Sequence, residues 1–227
     1  QAVAFDAYGT LIDFNEGDFI ATMGQICEQQ GLVADASDIW QRFLRSAINF
    51  HRRNHAGSPA HWRYSDAWPL HFADVFRSLR LDGDPMAASS YLREVLAEAP
   101  AYPEAYQVID SLSQSHRIAL LSNADDDFLF PCLERNRLRF ETIVTSEQAR
   151  ALKPNPAIFH RLAAELDLRP SSILYVGDSP VPDVLGGCQA GFKVAWVNRS
   201  GLRRPRNVPE PHLRLGSLTE LVSLLHG

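Results

Sequence analysis

The sequence predicts an α/β fold: a Rossmann-like parallel sheet with helices on both faces, into which an all-α subdomain is inserted. Three observations lead there. The chain opens on a short apolar run, Ala2-Val3-Ala4-Phe5, too short for a helix and followed at once by Asp6 and the turn-permitting Gly9. Residues 14–99 carry apolar positions at helical spacing and nothing that reads as a strand. From Pro100 onward, short apolar runs alternate with helical patterns, as in parallel strands joined by crossover helices. The expected division is a core of residues 1–13 and 100–227 and a helical subdomain of residues 14–99.

In the helical region, Phe19-Ile20, Met23 and Ile26-Cys27 repeat at helical spacing, as do Ile39-Trp40, Phe43-Leu44 and Ala47-Ile48. Gly31 and the segment Asp35 to Asp38 separate the two, with Ser37 or Asp38 as the expected helix cap. A polar, aromatic-rich connection runs from His51 to Pro59, and Trp68, Phe72, Val75-Phe76 and Leu79 resume the helical period. Leu81-Asp82-Gly83-Asp84-Pro85 is a break, and Pro85 is placed to open a helix ending near Ala99.

In the core, Glu104 to Gln114 reads as an amphipathic helix and Arg117 to Leu121 as a buried strand ending at Ser122-Asn123. Asp125 to Arg137 is helical, and Thr142 to Thr145 is a short strand. Asn155-Pro156 cap and open a helix to about Leu166. Ser172 to Val176 is a strand that delivers Gly177-Asp178, and a helix covers Val184 to Ala190. A strand follows from Phe192 to Val197, then a polar loop from Arg199 to Pro211. His212 to Leu215 is a last short strand before a terminal helix ending near Leu225, with Ser217 and Glu220 at capping-box spacing.

Composition narrows the function. The 227 residues are 45% hydrophobic and 22% charged, ordinary for a globular chain. A formal net charge of −5 argues against a general nucleic-acid binder, whose phosphate contacts favour basic surfaces. Cys27, Cys132 and Cys188 form neither a disulfide framework nor a zinc spacing, which suits a reducing, cytoplasmic location. No apolar stretch is long enough to span a membrane. The expectation is a monomer or homodimer acting on a small anionic substrate.

Parallel strands put their carboxyl ends on one edge of the sheet, where ligands bind. The residues following them are Asp6, Ser122-Asn123, Lys153 and Asp178 with Asp183. A carboxylate can attack an electrophilic centre and form a covalent intermediate. A lysine with hydroxyl or amide donors holds developing negative charge. Two carboxylates and a backbone carbonyl are oxygen ligands that magnesium accepts. On these residues alone, Thr10 and Asn123 read equally as turn residues, and Asp183 as a charge complementing a helix N-terminus.

Four segments in this order resemble the haloacid dehalogenase superfamily of hydrolases: Asp6-Ala-Tyr-Gly-Thr10, Leu121-Ser122-Asn123, Lys153-Pro154 and Gly177-Asp178-Ser-Pro-Val-Pro-Asp183. The helical insertion after the first segment is similar to that superfamily's α-helical cap. The resemblance implies that Asp6 is the nucleophile and that Tyr8 offers its backbone carbonyl to a magnesium ion. It implies that Thr10, Ser122 and Asn123 orient Asp6 or bind the transferring group, and that Lys153 offsets charge between Asp6 and the substrate. Asp178 would be a direct metal ligand, with Asp183 supporting the metal or holding Lys153.

The pattern also departs. Phosphatases of the superfamily carry a second aspartate where this chain has Tyr8, an acid that protonates the leaving oxygen and is typically worth about 10²–10⁴-fold in rate. Asp-Ala-Tyr-Gly-Thr is similar to the 2-haloacid dehalogenases, which displace halide from carbon without a metal and need no such acid. Those enzymes lack the aspartate at the place of Asp178 and tend to carry Tyr where this chain has Phe159. Their halide-binding arginine has its nearest counterpart in Arg42, one residue out of step. Weighting Asp178 most, the sequence reads as a magnesium-dependent, phosphatase-like hydrolase. A 2-haloacid dehalogenase is the alternative, and a catalytically weak binding protein the third reading.

Arg45, His51, Arg52, Arg53, His55, His61, Trp62, Arg63 and Tyr64 form a basic, aromatic segment. One reading has it gather an anionic substrate over Asp6, with Arg45 as the candidate contact; the other makes it a solvated helix face and loop. Trp62 and Trp68 read as packing residues, and Gly186-Gly187 as a close helix–sheet contact.

Overall fold

In the computed structural model, which describes residues 1–54 and 63–226, the strands are β1 (Ala2–Phe5), β2 (Arg117–Ser122), β3 (Thr142–Thr145), β4 (Ile173–Gly177), β5 (Lys193–Val197) and β6 (Leu213–Leu215). They pair in parallel as one sheet in the order β3-β2-β1-β4-β5-β6. The first strand thus sits in the middle, where connections diverge to either side and a crevice opens at the carboxyl ends. Registers Phe5↔Leu120 and Phe5↔Val176 bring Asp6, Ser122 and Asp178 to that edge. β1 is buried throughout, as an apolar run covered on both faces must be.

The chain divides into two compact units. The first comprises Gln1–Asp13, Pro100–Asn123 and Leu133–Gly227 and holds the sheet; the second comprises Phe14–Ala99 with Ala124–Cys132.

The second unit contains α1 (Glu16–Gln30), α2 (Ala36–Asn54), α3 (Tyr64–Leu79) and α4 (Pro85–Glu98). Asn15 and Asp18 form a capping box at the start of α1, and Gly31 ends it in the left-handed conformation at φ 65°. The cap of α2 is Asp35, not Ser37 or Asp38. Its carboxylate accepts from Asp38 N–H at 2.8 Å, so Asp38 lies inside the first turn. His51 to Asn54 extend α2 instead of opening a connection, while residues 55–62, including His55, His61 and Trp62, lie outside the described residues. Asp84 caps α4 from just before Pro85, accepting from Met86 N–H at 2.8 Å. The core of this unit is aromatic. Phe19 stacks on Trp40 at 4.4 Å, Trp40 on Phe43 at 5.9 Å, and Trp68 on Phe128 at 5.6 Å.

The remaining helices are α5 (Pro103–Ser113), α6 (Asp126–Arg135), α7 (Ser146–Ala149), α8 (Pro156–Glu165), α9 (Gly186–Gln189) and α10 (Thr219–His226). The helix expected over Val184 to Ala190 begins earlier and wider. Residues 180–185 form a π-turn, and α9 continues it. Pro180 and Pro182 bring no N–H, and Asp183 and Val184 both donate to the Ser179 carbonyl, at 3.1 and 3.3 Å. Gly186 and Gly187 are close contacts, as expected: an added Cβ would lie 2.7 Å from Phe159 in one case and 2.8 Å from Val194 in the other. Among the described residues no helix is long and apolar enough to cross a membrane.

Candidate active site

Asp6 continues the line of β1, its N–H bonding the Val176 carbonyl at 2.9 Å. The chain then turns within six residues. The Ala7 carbonyl accepts from the N–H groups of Thr10, Leu11 and Ile12, at 3.2, 2.8 and 2.9 Å. Gly9 takes φ +84°, and a Cβ there would stand 2.7 Å from an Asp178 carboxylate oxygen. Glycine is required here twice over, for the backbone and for the space. Thr10, fully buried, donates its hydroxyl to Asp178 Oδ1 at 3.2 Å, which ties the first strand end to the fourth.

Lys153 is the hub. Its buried ammonium donates to Asp6 Oδ1 at 2.6 Å, to Asp183 Oδ1 at 2.7 Å and to the Tyr175 hydroxyl at 2.9 Å, using all three of its donors. Asn123 holds the lysine's backbone reciprocally: its amide oxygen accepts from Lys153 N–H at 2.8 Å and its amide nitrogen donates to the Lys153 carbonyl at 3.2 Å. Asp183 is completely buried and also accepts from Ser179 N–H at 2.8 Å. The Tyr175 hydroxyl lies 3.0 Å from Asp183 Oδ1 and 3.2 Å from the Leu121 carbonyl.

Three carboxylates here face one ammonium, and the acidities respond. Burial raises the Asp6 carboxyl from 3.8 to about 6; Lys153 opposes the rise and Asp183 adds to it. Burial, then Asp183 and Asp6, push Asp178 to about 7. Burial by itself would lower the Lys153 ammonium, but Asp183 and Asp6 hold it above its ordinary value, so it stays charged. The Tyr175 phenol is raised well above its usual range, by burial first and then by Asp183 and Asp6.

Oxygen atoms of Asp6, Asp178 and Asp183 lie within 4.8 Å of one another. By charge, spacing and oxygen chemistry this set fits a hard divalent cation. Asp6 and Asp178 are the better-placed ligands, because Asp183 spends Oδ1 on Lys153 and Tyr175 and Oδ2 on Ser179.

Residues 1–191 match the haloacid dehalogenase-like hydrolases. The chain belongs to that family. It is 29% identical to (S)-2-haloacid dehalogenase 1 of Pseudomonas sp. (strain CBS-3), over 99% of this chain and 96% of the relative. It is 31% identical to the human N-acylneuraminate-9-phosphatase, over 52% of this chain and 49% of that protein. The structure of L-2-haloacid dehalogenase from Xanthobacter autotrophicus superposes with a TM-score of 0.79 at 21% identity, covering 100% of this chain and 98% of that one.

In this hydrolase, then, five residues converge from three strand ends: Asp6 and Thr10 after β1, Lys153 beyond β3, and Asp178 and Asp183 after β4. Ser122 is buried as the last residue of β2, and Tyr8 is half-buried next to Gly9. Arg45 is exposed on α2, in the helical unit. Arg42 is engaged within that unit, its guanidinium on both Asp38 oxygens at 2.9 Å and on Ser78 at 3.3 Å. Two residues of the network are absent from the sequence expectations. Tyr175 carries the one hydroxyl in an otherwise aliphatic strand, and a buried phenol must find a partner. Arg199, two residues beyond β5, donates to the Gly9 and Thr10 carbonyls of the turn after Asp6.

Proposed function

We propose that this family member hydrolyses the carbon–halogen bond of a small 2-haloacid, with Asp6 as nucleophile. The observation that carries the reading is Tyr8. Halide leaves carbon as an anion and needs no proton, so a phenol where phosphatases place an acid costs this reaction nothing. The whole-length likeness to a 2-haloacid dehalogenase supports it and favours the reading that the sequence, weighted on Asp178, placed second.

In the first step an Asp6 oxygen bonds to C2 of the substrate, the carbon–halogen bond breaks, and halide leaves with its electron pair. Asp6 is then an ester. Water adds at the ester carbonyl and regenerates the Asp6 carboxylate, releasing a 2-hydroxy acid and one proton. Asp178, raised to about 7 and within reach of Asp6, takes that proton, since a base works best with a pKa near the working pH. Lys153 stabilises the charge on the Asp6 carboxyl in both steps. Arg45, exposed on α2, is the candidate partner for the substrate carboxylate.

One observation favours a second reading. Asp178 stands where the metal-independent branch has no acid, and the Asp6–Asp178 pair suits magnesium. The ion would supply charge neutralisation and a hold on a phosphate oxygen, making the chain a phosphatase of small phosphorylated metabolites. A substrate panel separates the two. Halide release from (S)-2-chloropropionate, undiminished by chelator, is the expected result. Phosphate release that requires magnesium, with no halide, would reverse the order of the readings. Asp6→Asn is expected to cut turnover to below about one-thousandth in either case, as loss of a nucleophile does.

A further inference from the structure

Strand β5 ends at Val197, and two residues on, Arg199 reaches back to the turn that carries the nucleophile. Its guanidinium donates to the Gly9 carbonyl at 2.9 Å, to the Thr10 carbonyl at 3.0 Å and to the Glu104 carboxylate at 3.0 Å. It also lies 3.9 Å from the centre of the Tyr102 ring, a cation–π contact with a half-buried partner. The Arg199 side chain is 23% exposed, so these are not loose surface contacts.

We propose that Arg199 is a positioning residue, holding the Gly9–Thr10 turn in place against Asp178 and, through that turn, the Asp6 carboxylate in line with its target. The inference rests on Asp6 being the nucleophile. The turn's remaining contacts explain why a clamp is needed there. Gly9 has no side chain to anchor it, and it passes so close to Asp178 that a methyl group would not fit. Thr10 reaches Asp178 through a single hydroxyl bond of 3.2 Å. Backbone bonds to the Ala7 and Ile12 carbonyls shape the turn from within, and Arg199 adds a hold on it from outside.

Strand β5 and the loop directly after it secure both halves of the site. Trp196, in β5, donates its indole N–H to the Asp178 carbonyl at 2.8 Å. Three residues later, Arg199 takes the two carbonyls of the opposing turn. β5 therefore sets the spacing between the Asp6 turn and Asp178, although it contributes no group to the chemistry. Arginine suits this task and lysine does not, because a planar fork satisfies two carbonyls and a carboxylate at fixed angles. Glu104 fixes the plane of the guanidinium and offsets its charge.

The test uses Arg199→Ala and Arg199→Lys in the full chain, read first without any substrate. Hydrogen–deuterium exchange at the amides of Gly9 to Ile12 is expected to rise about tenfold or more in Arg199→Ala, while β2, β4 and β5 keep their protection. On whichever substrate the wild type turns over, kcat per folded molecule is expected to fall about 10- to 100-fold, with KM within about twofold, as a misplaced reacting group costs. Guanidinium ion in solution is expected to restore part of the rate to Arg199→Ala. Arg199→Lys is expected to keep the charge without recovering the rate. Unchanged exchange in the turn would overturn the proposal. So would exchange that rises equally in every strand, which marks general destabilisation, or full activity in Arg199→Lys. If the wild type releases phosphate instead of halide, the proposed function fails while the exchange and kcat readings still decide the role of Arg199.

Discussion

Tyr175 is the residue through which the charged cluster is tied to the body of the sheet. Its ring packs edge-on against Phe159 at 5.2 Å, and its hydroxyl meets both Lys153 and Asp183. The likeness to the 2-haloacid dehalogenases sought a phenol at position 159; here the adjoining ring, on β4, supplies one to the lysine. Tyr175→Phe keeps the packing and removes the hydroxyl, leaving an ammonium without one acceptor and a buried carboxylate without one donor. The expected cost is about 1.5–3 kcal/mol in urea unfolding, the range for hydrogen bonds to charged groups. The two raised carboxyls carry a second consequence, with a definite sign. Unfolded, Asp6 and Asp178 titrate near 3.8; folded, near 6 and 7. Between about pH 4 and pH 7 the folded chain holds the extra protons, so their contribution to stability is greatest at the acid end and is lost as pH rises through 6 to 7. Wild type and Asp178→Asn compared by urea midpoint across that window should converge at low pH, with the variant relatively more stable at pH 8. Magnesium, if it binds the pair, should flatten the slope. Asp6, Lys153 and Asp178 were legible in the sequence because they lie beyond buried parallel strands and fall, in order, within three of the four motif segments. Tyr175 was not, because an aromatic inside a strand reads as core, and only coordinates reveal where its hydroxyl points.

At the scale of elements, the helical unit depends on its rings. Phe43 stacks with Trp40, lies 4.9 Å from Phe72 and meets His71 edge-on at 5.5 Å, so it joins α2 to α3. Phe43→Ala is expected to cost about 3–5 kcal/mol, the usual range for truncating a buried aromatic, read as a lowered urea or thermal midpoint. A loss under about 1 kcal/mol would mean that the stripe does not hold the unit together. These helices were legible from apolar spacing alone, since a face buried against its neighbours imposes the period. Their starts were less so. Asp35, Ser37 and Asp38 are all good cap residues, and only the direction of the Asp35 carboxylate toward Asp38 N–H decides among them. The wide turn over residues 180–185 was illegible for a related reason. Two prolines announce an irregularity, but the placing of Asp183 under Lys153 depends on that lysine, far away in sequence, and on the hydroxyl of Tyr175 in β4.

At the scale of the molecule, the parallel sheet followed from the alternation of strands and helices, and the order of its strands placed the four motif segments on one edge. The grouping of Ala124–Cys132 with the helical unit was not readable, because a helix presenting apolar residues on one side does not declare which neighbour covers them. The route of the chain carries one further consequence. Asp13 N–H bonds the Pro100 carbonyl at 2.8 Å, and Tyr102 N–H bonds the Leu11 carbonyl at 2.8 Å, so the polypeptide leaves the sheet-bearing unit and re-enters it at adjoining points. A segment whose two ends meet in this way is topologically a cassette. Modules of very different length can be spliced between such adjoining ends without stretching the scaffold, because the gap they must close does not depend on what lies between them.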